Sequence, residues 1–123
     1  MANVQIIKID DVEYVKKDSI QQKEPLNDEG YVIIRSNGSG VHMGFLESFD
    51  KETCVAELKN SRRIYYWKGA ATLSELAVNG TKCPNECKFP ISVPEITITN
   101  VLEIIPVTIR AKLSIDGVPI WTA

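Results

Sequence analysis

β-branched and apolar runs, punctuated by a turn signal every eight to ten residues, constrain this chain more than any other feature. Residues 31–35 read Tyr-Val-Ile-Ile-Arg and form a strand by β-branching. The turn that follows contains Asn37-Gly38, which supplies the φ > 0 positions that hairpins use. Residues 41–49 return as a second strand, 50–52 turn, 53–58 form a third, Lys59-Asn60 turns again, and 62–67 form a fourth. Connections this short join antiparallel neighbours. The expected fold is therefore α+β and β-rich: an antiparallel meander making a small curled sheet or barrel, with one or two short helices. Gly44, inside the second run, marks a bulge or a close backbone approach.

Thr72-Leu-Ser-Glu75 is a capping box, in which the Thr hydroxyl accepts from the N3 amide and the Glu reaches back. Leu73, Leu76 and Ala77 share a face, and Asn79-Gly80 stops the helix. Beyond a Pro- and Cys-containing loop, residues 95–99 and 101–105 are either one long strand bent around Asn100 or two short ones. Thr108 caps a second helix running to Ile115, with Gly117 just past its end, and 118–122 make a terminal strand or docking tail anchored by Trp121. Upstream, residues 4–9 and 12–16 flank Asp10-Asp11 as a β-hairpin, and 17–30 are a polar linker. The chain thus divides into an N-terminal hairpin arm with linker, 1–29, and a globular body, 30–123. An isolated hairpin is marginal, so the arm must pack on the body or on a partner chain.

Fourteen basic against sixteen acidic residues give a net charge of −2, which argues against duplex nucleic acid as the partner. No apolar run approaches the ~18 residues of a membrane span, and the N-terminus lacks the basic and apolar regions of a signal peptide. A cytoplasmic protein is expected. Cys54, Cys83 and Cys87 are too few and too odd in number for a disulfide framework. The Cys83/Cys87 pair would need two further ligands for zinc, and only His42 and Cys54 exist to supply them. Ordinary thiols are the favoured reading, with no metal and no cofactor. His42, the sole histidine, lacks any recognised catalytic spacing, and a hydrogen-bonded strand histidine is favoured over a catalytic one.

Residues 61–75 gather two arginines, three consecutive aromatics, a lysine, a glycine and a helix start. On a strand, Arg63, Tyr65 and Trp67 share one face, and Arg62, Ile64, Tyr66 and Lys68 the other. One face must be core; the other is a stacking and charge-pairing surface. Gly69 to Thr72 then leads into a helix N-terminus, whose amides suit an anion. Arg62 or Arg63 adds a bidentate contact, and Tyr66 or Trp67 a stacking ring. With Lys68, Gly69, Thr72 and His42 these are the expected ligand-binding residues. The competing reading has the arginines on the surface, the aromatics in the core, and Glu75 already occupying the helix end.

Residues 31–35, 40–48, 61–77 (Ser-Arg-Arg-Ile-Tyr-Tyr-Trp-Lys-Gly-Ala-Ala-Thr-Leu-Ser-Glu-Leu-Ala), 87–90 and 103–106 together resemble a family of small proteins encoded by tailed bacteriophages and prophages. The pattern RRIxYWxGAxxLSxLA is the most specific part. Residues 9–19 resemble a hairpin arm found at the start of assorted phage proteins, where Gly is more usual than Asp11. The resemblance transfers origin and no catalytic residue. It implies a cytoplasmic accessory protein in the infected host. One class of such proteins forms symmetric oligomers and sequesters nucleotide second messengers of bacterial immune systems such as Thoeris or CBASS. The expectation is a homo-oligomeric sponge, not an enzyme, holding a small anionic nucleotide-like ligand. The alternatives are a protein-interaction inhibitor of a host factor or a minor virion or assembly component, and a nucleotide hydrolase using His42 as acid or base.

Overall fold

The computed structural model describes residues 25–123. The expected N-terminal hairpin and most of the linker lie outside them. Five strands and two helices follow in order: β1 (Tyr31–Ser36), β2 (Gly40–Asp50), β3 (Val55–Ile64), α1 (Leu73–Asn79), β4 (Val93–Ile98), β5 (Val101–Pro106) and α2 (Ile109–Asp116). The strands form one antiparallel sheet in the order β4-β3-β2-β1-β5.

The expected third and fourth strands are one strand. Lys59-Asn60 does not turn: Asn60 adopts φ 48°, a left-handed conformation that Asn tolerates, and is absorbed as an extra residue. Three steps on β3, from Lys59 to Arg62, therefore face two on β2, from Phe45 to Met43. A second shift lies between Leu46 and Ser48, with the extra residue on β2. Gly44 sits at the first bulge, where a Cβ would come within 3.0 Å of the Ser61 Cα. The strand ends at Ile64, so residues 65–67 are not strand.

Residues 95–105 resolve into two strands rather than one bent strand. Only Thr99 and Asn100 separate β4 from β5, yet the two lie at opposite edges of the sheet. Asn100, at φ 56°, makes the turn. The Asn37 amide donates to the Asn100 carbonyl (2.9 Å) and the Val101 amide to the Cys54 carbonyl (3.0 Å). The turns at both ends of β2 therefore meet at two adjacent residues, which a flat sheet cannot arrange. The sheet curls, helped by its bulges, without closing into a barrel.

The curl encloses one apolar cluster, built around Val32, Ile34, Leu58 and Ile98. The opposite face carries the helices and a larger cluster around Ile33, Met43, Leu76, Phe89 and Ile115. β1 is thus buried on both faces, which is why its sequence is an unbroken apolar run rather than an alternating one.

Both helices start as their caps dictate. Thr72 Oγ1 accepts from the Glu75 amide (3.1 Å), and the Glu75 carboxylate accepts from the Ala71 amide (2.6 Å). Thr108 Oγ1 accepts from the Ala111 amide and donates to the Val78 carbonyl (2.7 Å), tying α2 to the end of α1. Contacts with the body extend back to Pro25, whose carbonyl accepts from the Ile109 amide (3.0 Å). No helix among the described residues is long and apolar enough to cross a membrane.

Candidate functional site

The fold takes the 61–75 segment apart. Arg62 points to the helix-bearing face, where its guanidinium donates to four carbonyls: Phe89 (2.7 Å), Pro90 (3.1 Å), Val118 (3.4 Å) and Pro119 (3.5 Å). It also lies over the Phe89 ring, 5.5 Å from its centroid. Burial pushes its pKa down, with Tyr31 and Asp116 opposing. A guanidinium has five N–H donors in a fixed fork, and this one spends them on backbone. Arg62 is therefore a clasp joining residues 89–90 to 118–119, and not the phosphate ligand expected from the sequence.

What the clasp assembles is an exposed aromatic surface. The Tyr65 and Tyr66 amides donate to the Lys88 carbonyl, the Lys88 amide returns a bond to Tyr66 (2.8 Å), and the Trp121 amide donates to Phe89 (3.0 Å). Tyr65, 64% exposed, stacks on Trp121 with ring centroids 5.0 Å apart and planes inclined by 14°. Lys88 Nζ lies 5.4 Å from the Trp121 centroid and 5.8 Å from that of Tyr66. A cation set over two rings, beside a third that faces solvent, is a ready stacking and charge-pairing surface.

The remaining expected residues build a turn. Trp67 packs against the main core and its indole N–H donates to the Ala70 carbonyl (3.0 Å), so it is no stacking platform. Lys68 pairs with Glu86 (3.0 Å), which holds its pKa up, and its amide donates to Cys87 Sγ (3.5 Å). Gly69, at φ 89°, lies where a Cβ would come within 2.6 Å of the Lys82 and Cys83 amide nitrogens. Thr72 Oγ1 takes the Glu75 amide, and the Glu75 carboxylate takes that of Ala71. With those partners made and only seven residues in α1, the helix start is not the anion site expected of Gly69 to Thr72.

Arg63 and His42 meet elsewhere. They are cross-strand partners on the face of β3 away from Arg62. With Ser61 they line a cavity of about 170 Å³ whose other walls are Pro90, Ile91, Val93 and Ile96. His42 is buried, and its Nε2 lies 3.1 Å from Ser39 Oγ, which in turn shares a hydrogen bond with Ser36 Oγ. Burial first, and then the charge of Arg63, push the imidazole pKa down. Arg63 donates to the Ser39 carbonyl (2.7 Å). Ser61 Oγ is buried without a hydrogen-bond partner among the described residues.

Tyr65, Lys88 and Ser61 were not among the expected site residues. Lys88 and Ser61 carry no local signal. Tyr65 was placed by strand alternation that stops at Ile64. Trp121 was legible as an anchor, though not as the partner of Tyr65. Among the described residues no group of three or more His, Cys, Asp and Glu is placed to hold a metal ion. Cys54, Cys83 and Cys87 are free thiols.

A family model described as a domain of unknown function, DUF6948, matches residues 29–115, from just before β1 into the last turn of α2. No curated protein and no solved structure matches the chain.

Proposed function

The chain belongs to the DUF6948 family, and from its surface chemistry we propose a phage accessory protein of the counter-defence kind, which binds and sequesters a small anionic, nucleotide-like immune signal without cleaving it. The observation that carries this reading is Lys88 Nζ over the Trp121 ring, itself stacked on exposed Tyr65. Every base has a flat face that such rings accept, at about 1–3 kcal/mol per stack. The ammonium beside them is available to a phosphate. Sequestration asks for no catalytic group, and the site resides in the host cytoplasm where such signals are made.

A second reading, an inhibitor of a host protein or a minor virion component, is favoured by Ile91 and Ile120. They are 68% and 56% exposed on the two segments that Arg62 joins, and an apolar surface of this kind suits a protein partner or a second copy of the chain.

Melting the full-length protein with cyclic di- and trinucleotides and ADP-ribose isomers separates the readings. A ligand at ~100 times its dissociation constant adds ~2.7 kcal/mol of stability. The expected result is a rise in melting temperature with at least one nucleotide, and release of that nucleotide intact on heating. Chemically altered ligand would instead mean hydrolysis. Trp121→Ala and Tyr65→Ala should remove the rise, whereas Trp67→Ala should lower the melting temperature of the unliganded protein. Absence of any rise across the panel would sink the nucleotide reading in favour of the protein-partner one.

A further inference from the structure

We propose that the cavity between His42, Ser61 and Arg63 is a second binding site, selective for a small aliphatic carboxylate. It stands independently of the nucleotide reading, since it lies on the other face of β3 from Arg62 and uses none of the stacked rings.

Ser61 is the starting observation. The residue is 2% exposed and lines the cavity, its hydroxyl is closed off from solvent, and no group among the described residues bonds to it. Buried hydroxyls almost always have a partner, because desolvating one without compensation is costly. The position is also hard to relax. Gly44 lets β2 pass so close that its missing Cβ would touch Ser61, and the Asn60 bulge fixes the side of the sheet on which Ser61 lies. An occupant of the cavity that reaches this hydroxyl would supply the missing partner.

The walls state the chemistry of that occupant. Among the described residues Arg63 is the only ionised side chain that lines the cavity, and no carboxylate does. Its bond to the Ser39 carbonyl uses one guanidinium N–H of five and fixes the head group at the rim. His42 brings an imidazole whose orientation is set by the hydrogen bonds running through Ser39 to Ser36. A carboxylate can accept from Arg63 and Ser61 together. The opposite walls, Pro90, Ile91, Val93 and Ile96, are aliphatic and favour a short hydrocarbon body over a second charge. Pockets for drug-sized ligands run to roughly 300–1,000 Å³. At about 170 Å³ this one is too small for a nucleotide and suits a few heavy atoms behind an anionic head.

The test is a titration of full-length protein with acetate, butyrate, isovalerate and inorganic phosphate, followed by melting temperature and by the single imidazole signal in a proton–carbon NMR spectrum. His42 is the only histidine, so that signal needs no assignment. The expected result is a saturable His42 shift with butyrate or isovalerate, at least tenfold tighter than with acetate or phosphate. Arg63→Gln should weaken it at least tenfold. Ser61→Ala should weaken it several-fold while leaving the unliganded melting temperature unchanged or higher, because it removes a hydroxyl that no described residue satisfies. Trp121→Ala should have no effect on it. Four results would each overturn the proposal: no saturable shift with any carboxylate, phosphate binding as tightly as butyrate, undiminished binding in Arg63→Gln, or a clear loss of unliganded stability in Ser61→Ala, which would mean that a buried water is the partner.

Discussion

Arg62 and Arg63 are chemically identical neighbours with opposite employment. Strand alternation sends Arg62 to the helix-bearing face, among carbonyls that two distant segments present, and sends Arg63 to the cavity beside His42. Arg62 is consumed by the fold, and its fork geometry suits gathering backbone carbonyls from two directions. Arg63 makes one bond to the Ser39 carbonyl from an exposed position. A basic pair in a sequence therefore need not be a basic patch. On a strand it divides into two environments, and the neighbouring carbonyls decide which arginine is structural.

The largest break of this contrast is Arg62→Ala. It takes this donor from the carbonyls of residues 90, 118 and 119 and leaves that of Phe89 with the Trp121 amide alone, in a half-buried setting. A loss of about 3 kcal/mol is expected in denaturant melts. Arg62→Lys should restore little of it, since a single ammonium cannot span two segments. Limited proteolysis should find the C-terminal tail released first.

Next comes Gly44→Ala, which acts on the other side of β3. The added methyl would meet the Ser61 Cα at 3.0 Å and the Lys59 carbonyl at 3.1 Å, both backbone atoms held in the sheet. A destabilisation of about 1–2 kcal/mol is expected, measured the same way. A neutral result would mean that the β2–β3 pairing at the Asn60 bulge yields more easily than its geometry implies.

A smaller effect belongs to His42. Its pKa is lowered in the folded protein by burial and by Arg63, so the unfolded chain binds the proton more readily. Between the lowered value and the ordinary imidazole value of about 6.5, the unfolded state carries more protons and stability rises with pH. The contribution is complete above the ordinary value and is lost as pH falls toward the lowered one. His42→Gln should flatten this limb relative to wild type in melts from pH 7 down to pH 5. An unchanged limb would place the proton elsewhere.

Smallest of all is Arg63→Ala. Its side chain is exposed and holds one carbonyl, so unliganded stability should change by less than about 0.5 kcal/mol. A loss as large as that of Arg62→Ala would erase the distinction between the two.

Much of the architecture was legible because it rests on local rules. Asn37-Gly38 announced the first hairpin, Gly44 the close approach, and Thr72 and Thr108 the helix starts, each through chemistry confined to a few consecutive residues. Lys59-Asn60 misled because Asn favours the left-handed conformation in turns and bulges alike. Whether the chain reverses there depends on β2 and β4, which already flank the strand. The site fared worse. Its parts come from residues far apart in the chain: Tyr65 with Lys88 and Trp121, and His42 with Ser61 and Pro90.

Local pattern dictates the antiparallel hairpins, the caps, the apolar runs that bury β1 on both faces, and the presence of rings and cations in one segment. Backbone sterics and solvent exclusion act residue by residue and leave their mark in local pattern. Long-range packing made Arg62 a clasp, laid Trp67 against the core, brought Tyr65 to Trp121 and set Ser61 beside a cavity. Each of those outcomes depends on which distant carbonyl, ring or void the curled sheet brings within hydrogen-bonding or van der Waals reach. No local pattern encodes that distance.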